Sequence, residues 1–197
     1  MRDDLPPGVP GSTVPWKPAP AQLAAAAGTT LPDLVAPGLR VLFCGINPGL
    51  YTAAIGHHFG RPGNRFWKVL HLAGFTERQL SPFEERRLLE AGVGVTNIVP
   101  RATAAAAELS GEELRAGVRR VERLVCEQRP RVVAFLGMQA YRMAVGRPRA
   151  AMGRQAERLC EAVVWLLPNP SGLQAHYQLD AMVELYGELR RFAFATH

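Results

Sequence analysis

Acidic residues are missing from Leu34 through Thr76, a stretch that holds two asparagines, Asn47 and Asn64, and two adjacent histidines, His57 and His58. Any reaction centred there has no local carboxylate base, and no negative charge in it repels a phosphate backbone. Lysine is scarce as well. All but Lys17 and Lys68 of the 23 basic residues are arginine. The three cysteines, Cys44, Cys126 and Cys160, are too dispersed for a zinc site and too few for the four ligands of an iron–sulfur cluster. Their odd number also speaks against a disulfide framework, so the expectation is free thiols in a reducing cytoplasm. No run reaches the roughly 18 apolar residues that a membrane span requires. Arg2, Asp3 and Asp4, followed by prolines, do not form the apolar segment of a secretory signal. The glycines have the spacing of neither a P-loop nor a dinucleotide fingerprint, which excludes both of those nucleotide-binding readings.

The 197 residues, 48% apolar and 20% charged, suit one globular domain large enough to bury a core without metals or disulfides. The net charge is +6. Residues 1–37 hold Arg2 and Lys17 against Asp3, Asp4 and Asp33, so the positive excess lies wholly in the remainder. A basic domain of this size fits a polyanionic partner, nucleic acid being the simplest, although a solubility or base-composition bias gives the same charge.

Half of the 16 prolines fall before residue 38, beside the alanine run Ala24–Ala27. Residues 1–36 therefore read as a flexible or loosely attached arm, and residues 37–197 as the folded domain. In the domain, Leu39–Ile46, Val93–Val99, Arg131–Leu136 and Ala162–Leu167 are apolar runs of the kind found in strands buried on both faces. Helical spacing lies between them. It starts at Phe66, at the capping box Ser81–Glu84, at the capping box Ser110–Glu113 with Leu114, Val118, Val121 and Val125 on one face, and at Leu179. This alternation predicts an α/β fold of three layers, α/β/α, around a mostly parallel sheet, with chemistry at the carboxyl ends of the strands.

Those ends carry the motifs. After the first strand comes Gly45-Ile46-Asn47-Pro48-Gly49-Leu50, a tight turn able to bring backbone near a ligand. Then comes Gly56-His57-His58-Phe59, followed by Gly60 to Trp67. Adjacent histidines diverge, so they predict no metal site without a third ligand. Phe59, taken alone, suits the core better than a stacking wall. The loop after the fourth strand is Pro168-Asn169-Pro170-Ser171-Gly172-Leu173. Its apolar tip, taken alone, suits a staple for the next helix better than a wedge between bases. Arg61, Arg65 and Lys68 flank the active loop as candidate phosphate contacts. Arg115, Arg119 and Arg123 read as a solvated helix face rather than a DNA track.

Taken together, GINPGL, GHHFGRPGNRFWKVLHLAGFT, GVGVTNIVPRAT and LPNPSGL, in this order over about residues 37–190, resemble the mismatch-specific uracil/thymine-DNA glycosylases. These form the Mug and thymine-DNA glycosylase branch of the uracil-DNA glycosylase superfamily. The resemblance implies a uracil-DNA glycosylase-like fold and hydrolysis of the N-glycosidic bond of a flipped base, which starts base excision repair. Uracil opposite G is the implied substrate, with thymine and ethenocytosine as further ones. Asn47 is the implied catalytic residue, orienting water. Ile46, Thr52, His58, Phe59 and Asn97 are the implied base-binding residues, with Thr52 crowding a thymine methyl. Asn169, Ser171, Gly172 and Leu173 are the implied wedge and opposite-strand contacts. The pocket resembles the thymine-DNA glycosylase type and the NPSGL loop the Mug type. Mug-type loops carry arginine two residues after the leucine, where this chain has Ala175. The implied enzyme is monofunctional and monomeric, uses no metal or cofactor, and acts on double-stranded DNA in the cytoplasm, at the nucleoid, not on a membrane. Two other readings differ in what they need. A mismatch sensor without catalysis would not need Asn47, and an enzyme on free nucleosides would need neither Leu173 nor the positive charge.

Overall fold

A computed structural model of the chain describes residues 5–171 and 177–195. Five strands form one sheet: β1 (Val41–Gly45), β2 (Val93–Asn97), β3 (Val132–Leu136), β4 (Gly153–Leu159) and β5 (Ala162–Leu167), in the order β2-β1-β3-β5-β4. All neighbours are parallel except β4, which runs antiparallel to β5 at the edge. Residues within β1, β2, β3 and β5 are buried throughout, as their unbroken apolar sequences require when helices cover both faces. The α/β/α expectation therefore holds.

Alternation along β1 divides the core. Val41 and Phe43 face one layer, with α3 (Phe66–Leu72) and α7 (Leu179–Phe194). Leu42 and Cys44 face the other, with α5 (Gly111–Gln128) and α6 (Met138–Val145). Ser110 caps α5 by accepting a hydrogen bond from the Glu113 backbone N–H, and the Glu113 carboxylate accepts one in return from the Ser110 N–H. Leu114, Val121 and Val125 are buried beneath it, while Val118 packs at the margin. The predicted helix at Ser81 is a single 3₁₀ turn, Pro82–Glu84, followed by the short α4 (Arg87–Glu90).

Two expectations are corrected. Residues 5–36 are not a loose arm. The helix α1 (Pro20–Ala25) lies against α2 (Leu50–Ile55), where Ala26, Ala53, Ala54 and Ala102 form a small cluster. Leu34 and Val95 exchange both backbone hydrogen bonds, so the segment adds a rung to the β2 edge. The Gly11 N–H donates to the Ile55 carbonyl. Backbone groups and alanines hold this segment together with a few large apolar side chains, Leu31 buried and Leu34 and Val35 packed against the core margin. At the contact, Gly56 (φ +74°) has room for no side chain, since a Cβ would lie 2.4 Å from the Gly11 nitrogen.

Cys126 and Cys160 are not free thiols. They form a disulfide, because the end of α5 meets the β4–β5 turn with the two Cα atoms 5.6 Å apart. Cys44 alone is free and buried.

Candidate active site

The carboxyl ends of β1 and β2 lie side by side, with Gly45 in register with Asn97. Beyond them the chain encloses a cavity of about 330 Å³, the lower end of the size range of ligand pockets. Its lining joins all four motifs: Ile46 and Asn47; Thr52, His58 and Phe59; Asn97; and Asn169 with Ser171. The loop after β1, helix α2 and the turn that follows it, the end of β2 and the loop after β5 supply these residues.

Asn47 sits half-buried between β1 and α2. Its Nδ2 donates toward Thr103 Oγ1 at 2.7 Å, the Arg101 carbonyl at 3.1 Å and the Pro48 carbonyl at 3.2 Å. Thr103 passes its own hydroxyl proton to the Ala105 carbonyl at 2.8 Å, so its oxygen is free to accept from Asn47. The amide nitrogen is thereby committed to protein acceptors. The carboxamide oxygen is left as an acceptor for a water proton. Backbone bonds from Ile98 to Gly45, Val99 to Ile46 and Thr103 to Pro48 fix the two loops to each other.

Phe59 lies in the left-handed region at φ 51°, an uncommon conformation for an aromatic residue. One face of its ring stacks on Phe66, with centroids 3.8 Å apart and planes 24° apart. Phe59 is thus both part of the core margin and part of the cavity wall. Its turn is held from behind. The Glu85 carboxylate accepts from the His58 backbone N–H at 2.7 Å and from His57 Nδ1 at 3.0 Å. Thr52 lines the cavity, and its hydroxyl accepts from the Gly60 N–H at 3.1 Å.

Electrostatically the cavity is spare. Among the described residues, no carboxylate and no lysine lines it, and Arg61 is the single permanently charged side chain that does. Glu108 is turned to the Ala105 N–H, and Asp180 lies in the first turn of α7. Burial pushes the His58 pKa down, so its ring is neutral at neutral pH. No group of His, Cys, Asp or Glu among the described residues is arranged to hold a metal ion.

Of the three phosphate candidates, Lys68 is exposed on α3 and Arg61 is exposed at the cavity rim. Arg65 is turned inward. Its guanidinium donates to the carbonyls of Tyr177 at 2.7 Å and Ser171 at 3.5 Å, and its backbone N–H to Pro170 at 3.0 Å. It braces the two roots of the loop that carries Gly172 and Leu173, which lie outside the described residues. Tyr186 Oη donates to the Pro168 carbonyl at 3.1 Å, a second anchor. Asn169 and Ser171 are placed at the rim, where the Ser171 N–H donates to Asn169 Oδ1 at 3.0 Å.

Sequence reasoning missed Thr103, Asn64 and Ala104–Ala106 in the lining. Thr103 stands at the end of the quoted GVGVTNIVPRAT stretch, and its hydroxyl was the one available signal. The alanines carry none.

A doubly covered, mostly parallel sheet with a base-sized cavity at its carboxyl edge, an asparagine in its lining and an aromatic wall defines an α/β enzyme site that no carboxylate lines among the described residues. The sequence matches the uracil DNA glycosylase superfamily over residues 32–190, and the chain belongs to that superfamily. It is therefore a DNA glycosylase, a hydrolase of N-glycosyl bonds in DNA and a component of DNA repair.

Proposed function

We propose that the chain is a monofunctional, mismatch-specific glycosylase that removes uracil, preferentially opposite G, from double-stranded DNA. The observation that carries this reading is the commitment of the Asn47 amide nitrogen to Thr103, Arg101 and Pro48 in a cavity that no carboxylate lines among the described residues. An amide cannot take a proton at neutral pH. Its oxygen can hold a water in line with the glycosidic carbon. With no strong base, the bond must break mainly by departure of the base as an anion, which suits uracil and other labile bases. Thr52 in the wall favours uracil over the bulkier thymine.

Extrusion of the base costs a few kcal/mol and costs least at a mismatch, which favours U:G over U:A. Phe59 offers the extruded ring a stacking face. Gly172 and Leu173 fill the gap left in the duplex in this reading, from a loop whose roots are held by Arg65 and Tyr186. Arg61 and Lys68 supply sequence-independent phosphate contacts. A lyase step needs an amine nucleophile, and no lysine lines the cavity among the described residues, so the product is an intact abasic site.

The test is strand cleavage by alkali after incubation of a U:G duplex with the protein in EDTA, beside U:A, T:G and single-stranded uracil. Cleavage of U:G should exceed the others and fall roughly 10²–10³-fold in Asn47→Ala. Tight mismatch binding without cleavage under single-turnover conditions would replace the enzyme by a sensor.

A further inference from the structure

Behind the cavity lies a chain of polar groups to which water positioning assigns no role: the carbonyl of Pro32 and the buried side chains of His58 and Asn97. His58 Nε2 lies 3.0 Å from the Pro32 carbonyl oxygen. A carbonyl oxygen only accepts, so the ring proton is on Nε2. The ring is neutral because burial opposes its charge, so Nδ1 presents a lone pair. Asn97 Nδ2 lies 3.5 Å from that lone pair and donates to it. The carboxamide oxygen is then on the other side. It lies over Gly45, where an added Cβ would be 2.5 Å from Asn97 Oδ1 and 3.6 Å from Phe59 Cζ. Gly45 and Phe59 both line the cavity.

We propose that His58 is a positioning residue: held as the Nε2–H tautomer by the Pro32 carbonyl, it turns the Asn97 carboxamide oxygen toward the base. The cavity then presents an acceptor to the ring N–H of uracil or thymine and opposes the ring lone pair of cytosine. This rests on the excision reading above and deepens it, since it says why the site distinguishes an imide ring from an amidine-like one.

The relay begins in the segment that precedes β1. Asp33, next to Pro32, pairs with Arg120 Nη1 at 2.7 Å and accepts from Thr96 Oγ1 at 2.5 Å. Arg120 also donates to the Asn97 backbone carbonyl. One clamp thus fixes both ends of the relay, the carbonyl that orients His58 and the backbone that carries Asn97. The charged and titratable groups around His58 are Glu85, which accepts its backbone N–H, together with Asp33, Arg120 and His57. The two carboxylates favour a protonated ring, while burial and His57 oppose it, and burial is the largest effect. Protonation would place a donor at Nδ1 opposite the Asn97 amide and turn that amide over.

Two measurements on the full chain decide the matter. In long-range 1H–15N correlation spectra of protein labelled on histidine, His58 should be neutral and protonated on Nε2 near neutral pH. A ring protonated on Nδ1, or on both nitrogens, overturns the proposal. Single-turnover release of uracil from a U:G duplex is then compared in a double-mutant cycle. His58→Leu should slow release about tenfold, the scale of one hydrogen bond, and by less than about twofold in an Asn97→Ala background. Equal losses in both backgrounds overturn the proposal. His58→Asn keeps an acceptor near the Nδ1 position and should stay within about threefold of wild type. Should His58→Leu fail to fold, a His58→Asn rate reduced tenfold or more overturns it. A wild-type chain that releases no uracil sinks the excision reading, and the histidine spectrum still decides the tautomer.

Discussion

Thr103 shows how much a single hydroxyl can settle. Asn47 is free to rotate about its terminal bond unless its two ends have different partners. Thr103 Oγ1 at 2.7 Å and the Arg101 carbonyl at 3.1 Å provide acceptors for the nitrogen alone. Replacing the threonine by valine keeps the shape of the side chain and removes the acceptor. Thr103→Val should lower the single-turnover rate of uracil release about tenfold while leaving the apparent affinity for U:G duplex unchanged. A fall in affinity with an unchanged rate would mean that Thr103 serves DNA binding instead. The place of Asn47 in the cavity lining was legible in the sequence through its motif, as were those of Thr52, Phe59 and Asn97. Thr103 was not, because its importance arises from a contact between loops 56 positions apart. Arg65 was legible as a charge but not by its protein partners, since nothing in sequence tells which guanidinium donates to the carbonyls of Tyr177 and Ser171.

At the level of elements, the strands buried on both faces announced themselves by unbroken apolar runs. β4 did not. Its sequence Gly153–Leu159 alternates half-buried and exposed residues, Arg154 and Arg158 among the latter, and an edge strand of that kind resembles a polar loop. α2 escaped because six residues between glycine-rich turns are too few for a periodic pattern. The N-terminal segment escaped because its attachment uses backbone hydrogen bonds, alanines and isolated apolar side chains such as Leu31 and Leu34, which form no periodic pattern. That attachment carries a pH dependence. His57 donates from Nε2 to the Ser12 carbonyl at 2.8 Å and from Nδ1 to Glu85 at 3.0 Å. Burial lowers its pKa, but the hydrogen bond and charge of Glu85 and the Ser12 carbonyl together outweigh burial, and the net direction is upward. A raised folded pKa means that the folded state holds the proton more tightly. The stabilisation is then complete below the ordinary histidine value of about 6.5 and disappears as pH rises through the raised value. Urea midpoints of the wild type should therefore decline above about pH 6.5, and His57→Gln should flatten this part of the curve. An unchanged slope in the variant would remove His57 as its source.

For the molecule as a whole, the disulfide and the cavity lie apart. Cys126 and Cys160 tie α5 to the β4–β5 turn across a sequence separation of 34, and neither cysteine lines the cavity. Closing a loop of that length restricts the unfolded chain by about 3–4 kcal/mol in the entropic account. Cys126→Ser should lower the thermal midpoint of protein prepared under oxidising conditions and leave its rate on U:G duplex unchanged. Identical midpoints for variant and wild type would mean that the bond adds nothing to stability. Sequence could not foresee the pairing. Three cysteines permit several pairings or none, and only the tertiary fold brings these two within bonding range.

The register of β1 against β2 has a consequence for how activity is acquired. Gly45 and Asn97 face each other across two parallel strands whose connection runs from the α2 turn through α4. Parallel pairing of distant segments comes late in folding, and chains of this size commonly collapse before such pairings are complete. A slip of one residue would put Thr96 where Asn97 belongs, because successive side chains alternate between faces. A newly made chain can therefore hold most of its helices and be unable to recognise a base. The wall that Gly45 and Asn97 share exists only while the two strands are paired in this register.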